Sequence, residues 1–181
     1  IPLAIDDVKN VRWSYGASKL LGEVAFFSYS KMYNFDNFNI VRLHNIYGPR
    51  MGNEHVISQF IIRFLNNEFP FKILGSDQTR SFCFIDDVLD ALEKTVNSDM
   101  KKEIIHIGND KEEIKIIDLA KIIFDIEQKE YNFDLHDAPA GSVSRRCPQI
   151  EKLKLLGMKE QTPLREGIKE TLHWYKENHL R

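Results

Sequence analysis

Apolar positions recur along the chain with two periods, and the switching between them predicts alternating helices and strands. Over residues 12–33 the apolar set Leu21, Val24, Ala25 and Met32, with Ser28, falls at three- and four-residue spacings and predicts a helix. Asn39–Asn45 reads as a strand, and the Gly- and Pro-bearing Tyr47–Asn53 as a loop. Val56, Phe60, Ile61 and Phe64 share one face of a helix predicted over 55–67. Short strands follow at 71–74 and 81–85, joined by a loop from Gly75 to Arg80. Asp86 and Asp87 open a helix to about residue 97, where the macrodipole favours carboxylates. Ile104–Ile107 is a buried-looking strand ended by Gly108-Asn109. An amphipathic helix at 115–127, a strand at 131–135, a short helix at 149–156 closed by Gly157, and a helix at 164–178 complete the pattern. There is no internal repeat, low-complexity tract or long linker, and the alternation predicts an α/β fold with a parallel sheet.

Composition narrows the partners. The 181 residues carry 43% hydrophobic and 29% charged side chains, ordinary for a soluble globular domain, with a formal net charge of −2. That balance argues against nucleic acid and anionic membrane, which both call for a cationic surface, and favours a small-molecule ligand. No apolar run approaches the ~20 residues needed to span a bilayer, and no basic-then-apolar leader opens the chain, so a cytoplasmic location is expected. Cys83 and Cys147 stand far apart without zinc spacing and are expected to be reduced and structural. The start at Ile1-Pro2, without methionine, points to a processed or partial chain.

The segment WSYGASKLLGE places Tyr15 and Lys19 four residues apart, hence on one helix face, roughly opposite the apolar stripe. A phenol of ordinary pKa about 10 is a poor base at neutral pH until a nearby ammonium favours its phenolate. Alone, such a pair reads first as a solvated helix face. The small residues Gly16, Ala17 and Ser18 between them, however, let a ligand or a second backbone come close.

Four further segments, in order, turn this into a resemblance. RLHNIYGPR at Arg42–Arg50 is similar to R-x-x-N-x-Y/F-G-P-R, and GSDQTRSFCFIDD at Gly75–Asp87 to G-x-G-x-Q-x-R-x-F/W-x-Y/F-V/I-x-D. Ile107-Gly108-Asn109 is similar to the N-I/L-G-N/S strand end, with His106 where asparagine is usual, and RRCPQI at Arg145–Ile150 to R-x-P-D-I, with glutamine for aspartate. With YGASK, these resemble, across essentially the whole chain, the extended short-chain dehydrogenase/reductases that epimerise, dehydrate or decarboxylate nucleotide-diphosphate sugars. The resemblance implies an α/β fold: the C-terminal portion of a Rossmann-type parallel sheet with a smaller α/β substrate-binding lobe. Residues 1–50 and 86–109 would belong to the NAD-binding domain, and 51–85 and 110–181 to the lobe.

The resemblance also implies roles. Tyr15 matches the catalytic acid/base, and Lys19 the lysine that holds the nicotinamide ribose and favours the phenolate. Leu43 and His44 would lie beside the nicotinamide of NAD; a histidine there is unusual, and reads either as shaping the sugar pocket or as plain packing. Asn45 would contact the substrate's phosphates or sugar, its alternative being an amide that satisfies turn backbone. Arg80 and Arg146 match diphosphate-binding arginines, whose guanidinium forks suit phosphate oxygens, against the alternative of solvated surface. Arg146 also matches a residue that meets the substrate carboxylate in UDP-glucuronate decarboxylases. Arg50 and Arg145 read as scaffold or surface, Asp86 and Asp87 as helix-start carboxylates, Phe69-Pro70-Phe71 as core, and His136 with Asp137 lacks a third partner at metal spacing.

Absent from the sequence are the family's glycine-rich G-x-x-G-x-x-G turn and the Ser or Thr about two dozen residues before the tyrosine. The expectation is therefore a C-terminal part without the N-terminal Rossmann half, binding NAD weakly or not at all alone and exposing a normally central sheet edge. The leading reading is an NAD-dependent nucleotide-sugar epimerase or dehydratase acting through a transient keto-sugar. The alternatives are a UDP-glucuronate decarboxylase and a non-catalytic nucleotide-sugar binding module. Family members commonly pair through the tyrosine-bearing helix, so a homodimer is expected from the Leu21/Val24/Ala25/Met32 stripe, which core packing would explain equally well.

Overall fold

The computed structural model describes residues 13–158 and 160–178. Arg12, at the edge of the predicted first helix, lies outside them. The described residues form two compact units, one of 13–40 with 99–104 and the other of 41–98 with 105–158 and 160–178.

In chain order the elements are α1 (Trp13–Tyr33), β1 (Ile40–Leu43), β2 (Ile46–Tyr47), α2 (Val56–Leu65), β3 (Phe71–Leu74), β4 (Thr79–Ser81), β5 (Cys83–Phe84) and α3 (Ile85–Val96). They continue as β6 (Ile104–Ile107), β7 (Glu113–Lys115), α4 (Ile116–Ile126), β8 (Phe133–His136), β9 (Arg145–Arg146), α5 (Glu151–Leu155) and α6 (Leu164–Asn178). β1 pairs with β6. β2 runs parallel to β5 and β3 to β8, while β4 lies between antiparallel β7 and parallel β9. The predicted strand at 81–85 is two strands that serve different sheets, because buried Phe82 interrupts the ladder and turns its side chain into the core. Thr79 and Arg80, expected in a loop, belong to β4, and the predicted 39–45 strand stops at Leu43.

The smaller unit is organised by aromatics. Phe38 sits 5.6, 5.6 and 5.4 Å, ring to ring, from Phe26, Phe27 and Phe35. Asn39 donates to the Met100 carbonyl (2.8 Å) and accepts from the Glu103 amide (3.1 Å), closing the return of the chain. The expected single apolar stripe on α1 is not a packed core: Leu21, Val24 and Met32 are exposed, as are Phe26, Tyr29 and Tyr33, and Ser30 is the only buried residue of that helix. Apolar side chains therefore occupy more of its circumference than an amphipathic surface helix carries.

In the larger unit α2, α4 and α6 bury one face each around Ile61, Ile73, Leu119, Ile123 and Ile168, with Phe71 edge-on to Phe124 at 5.2 Å. The face read for the 55–67 helix is the one the core uses, with Phe60, Ile61 and Phe64 buried and Val56 partly so. Gly167 lets α6 approach β2 and β5: a Cβ there would lie 2.2 Å from the Tyr47 hydroxyl and 2.8 Å from Phe84. Among the described residues no helix is long and apolar enough to cross a membrane.

Candidate functional site

On α1 the helical rise stacks Lys19 over Tyr15, with Nζ 5.3 Å from the ring centroid. Tyr15 is 72% exposed, and neither the phenol nor the ammonium has a hydrogen-bond or ion-pair partner among the described residues. Ser18 turns its hydroxyl back onto the Tyr15 carbonyl at 2.8 Å. An uncommitted phenol beside an uncommitted cation can exchange a proton with a hydroxyl while the ammonium binds a second oxygen. That donor set fits the ribose and the reacting hydroxyl of a dinucleotide-dependent site.

Along β1 half-buried and exposed positions alternate, so Arg42 points to the half-buried side and Val41 and Leu43 are exposed. His44 follows, its amide bonded to the Ile107 carbonyl at 2.9 Å and its Nε2 lying 2.7 Å from Nδ1 of His106 on β6. Burial, then the neighbouring His106 and Arg42, push His44 down from the usual imidazole range to about 4. Asn45 takes the left-handed conformation at φ 46°, which asparagine tolerates better than most residues, and donates to the Ser81 carbonyl at 2.8 Å. Its amide NH2 thus joins the end of β1 to β4.

Arg80 is half-buried and spends four N–H groups on the Thr79, Ser144 and Val143 carbonyls and on Gln78 Oε1, at 2.6–3.2 Å. Of its five donors only Nε–H is left over. Arg146 is exposed on β9, directly across the ladder from Arg80. Burial first, then Arg146, disfavour the charged form of Arg80, and like charges facing each other across strands are unfavourable unless an anion lies between them. Arg145 instead holds Glu113, with Nε 2.9 Å from Oε1 and Nη2 2.6 Å from Oε2, and Thr79 donates to the same carboxylate. These bonds hold the Glu113 carboxyl below its usual range.

The remaining candidates are structural in their contacts. Asp87 accepts from the amide of Thr162 (3.0 Å) and its hydroxyl (3.1 Å), tying the start of α3 to the segment before α6, and burial raises its carboxyl above the usual range despite those bonds. His136 pairs with Asp134 at 2.7 Å. Phe71 is buried in the core, whereas Phe69 is half exposed and meets Phe124 edge-on at 6.0 Å. Both cysteines are free, and burial followed by Asp87 raises the Cys83 thiol to about 12. The contact that sequence reasoning missed is the one between His44 and His106; the available signal was that both depart from the motifs around them.

The sequence model of the family described as "NAD dependent epimerase/dehydratase family" matches residues 4–108. A putative UDP-glucose 4-epimerase of Methanocaldococcus jannaschii is 36% identical over 171 residues, 91% of this chain and 53% of that protein. The human dTDP-D-glucose 4,6-dehydratase is 32% identical over 91% of this chain and 48% of its own length, and UDP-glucuronic acid decarboxylases are further relatives. Among solved structures, a UDP-glucuronic acid 4-epimerase from Bacillus cereus, in complex with UDP-glucuronic acid and NAD, superposes with a TM-score of 0.82 at 26% identity, over 90% of this chain and 52% of that one. The chain spans about half the length of the relatives it matches.

Proposed function

Since the chain belongs to the NAD-dependent epimerase/dehydratase family, we propose that it serves a nucleotide-diphosphate-sugar epimerase or dehydratase that works through a transient keto-sugar. The observation that carries this reading is the uncommitted Tyr15 phenol with the Lys19 ammonium against its ring. Tyr15 takes the proton of a sugar hydroxyl as that carbon becomes a carbonyl, and returns it when the carbonyl is reduced. NAD, when bound, supplies the acceptor and donor of hydride. Lys19, an exposed cation beside the phenol, holds the nicotinamide ribose, and Leu43 and His44 flank the ring. Arg146, with the one N–H that Arg80 has left, takes the diphosphate, whose charge relieves two guanidiniums held in register. Asn45, through the Oδ1 left by its bond to Ser81, adds a contact to phosphate or sugar. The exposed apolar side chains of α1 support pairing of two copies through that helix, which sedimentation of the protein would test.

The deciding experiment supplies the protein with NAD and UDP-glucose, dTDP-glucose or UDP-glucuronate in turn. A C4 epimer, a 4-keto-6-deoxy sugar or released carbon dioxide would each name the branch. Tyr15→Phe should abolish turnover while leaving nucleotide-sugar binding intact. Turnover that survives Y15F would sink the assignment, and binding with no turnover by any substrate would favour a binding module.

A further inference from the structure

Two histidines that both depart from the motifs around them meet in the larger unit. His44, at the end of β1, and His106, on β6, are 62 positions apart in sequence, yet their ring nitrogens lie 2.7 Å apart. Their rings stack with centroids at 4.9 Å and planes 19° apart. The backbone behind His44 is fixed: a Cβ on Gly108 would come within 3.0 Å of the His44 Cβ and 2.7 Å of Pro148, and Gln161 donates to the Gly108 carbonyl at 2.8 Å.

A bond between Nε2 of His44 and Nδ1 of His106 uses one hydrogen, so one ring donates and the other accepts. That leaves Nδ1 of His44, which has no protein partner among the described residues. It is a donor if His106 donates within the pair and an acceptor if His44 does. A carboxylate can meet only the first case and an ammonium only the second. A hydroxyl, being both donor and acceptor, can meet either. Half-buried His44 itself stays uncharged at neutral pH, which also suits a neutral group rather than an anion.

We propose that His44 is a specificity-determining residue whose Nδ1 takes a ring hydroxyl of the sugar, and that His106 is a positioning residue that fixes the tautomer and plane of His44. This rests on the nucleotide-sugar reading above and adds to it the group that reads the sugar rather than the diphosphate.

The test uses the full chain, 15N-labelled in its histidine rings, with UDP against UDP-glucose and dTDP against dTDP-glucose as probes. His44 should show one pinned tautomer, and its Nδ1 resonance should move with the sugar-bearing probe but not with the bare nucleotide. His44→Phe and His106→Phe should each weaken the sugar-bearing probe by about 3- to 10-fold, the worth of one neutral hydrogen bond, and leave the bare nucleotide unchanged. His106→Asn keeps a hydrogen-bonding amide and should restore most of the loss. Sugar-bearing probes that bind without moving Nδ1 would overturn the inference alone, a result readable in the unsubstituted protein even if a variant fails to fold. Failure of bare nucleotides and sugar probes alike to bind would overturn the nucleotide-sugar reading, and this inference with it.

Discussion

Replacing Gly167 by alanine tests the packing that sets α6 against β2 and β5. Within a helix this exchange ordinarily stabilises by about 1 kcal/mol, because glycine loses more backbone freedom on folding. Here the added methyl would lie 2.2 Å from the Tyr47 hydroxyl oxygen, 2.9 Å from its Cζ and 2.8 Å from Phe84 Cδ2, all in side chains that are themselves buried. Over-packing of this kind costs about 1–3 kcal/mol. Displacing the phenol also breaks its 3.3 Å bond to the Leu164 carbonyl, leaving a buried polar group unpaired at about 1–3 kcal/mol. The balance is a loss of about 2–3 kcal/mol, or roughly 5–10 °C in melting temperature for a domain of this size. Urea denaturation followed by tryptophan fluorescence measures it. Gly22→Ala is the internal control, since nothing lies within 4 Å of a Cβ there, and it should stabilise by about 0.5–1 kcal/mol. Equal or greater stability of G167A would refute the close approach of α6 to Tyr47.

Three further outcomes follow from the titratable and charged groups. His44 is neutral in the folded chain down to about pH 4 but protonates near 6.5 when unfolded, so the unfolded state binds the extra proton between those values and stability falls as pH drops from 6.5 to 4. The ceiling is roughly 3.4 kcal/mol, which solvent screening of a half-buried ring reduces to about 1–2 kcal/mol. Denaturation at pH 7 and pH 4.5 should show that loss in the unsubstituted protein and less of it in His44→Gln; an unchanged acid slope in the variant would exclude His44 as its source. Arg80→Ala should weaken nucleotide-diphosphate binding and also lower the melting temperature, because it releases the Val143 and Ser144 carbonyls. Arg146→Ala, on exposed β9, should weaken binding without altering melting. A melting loss for R146A matching that of R80A would contradict the division of labour between them.

Much of this was legible along the chain because burial imposes a period. The core face of α2 is the face its apolar spacing marks, and the Tyr15–Lys19 juxtaposition needs nothing beyond the helical rise. What was not legible depends on partners distant in sequence. Residues 79–84 read as a loop and one strand because alternation does not reveal that Phe82 hands the chain from one sheet to another. β9 is two exposed arginines with no period to detect, and its identity as a strand comes from Thr79 and Arg80. His44 and His106 each look like an isolated oddity until the pairing of β1 with β6 brings them together. On α1 the stripe was read as one-sided, since Phe26, Tyr29 and Tyr33 carry aromatic surface to positions outside it.

The exposure of α1 has a practical bearing on how this protein should be mutated. A large library scored by thermal survival would rank α1 among the most tolerant segments, since Ser30 is its only buried residue. Tyr15 and Lys19, whose side chains hold nothing else in place, would score as dispensable, and polar replacements of Leu21 or Met32 could even be enriched. Sequences optimised by such a screen would drift away from chemistry while gaining robustness. A second selection, for ligand turnover or for self-association, is what would make this helix visible.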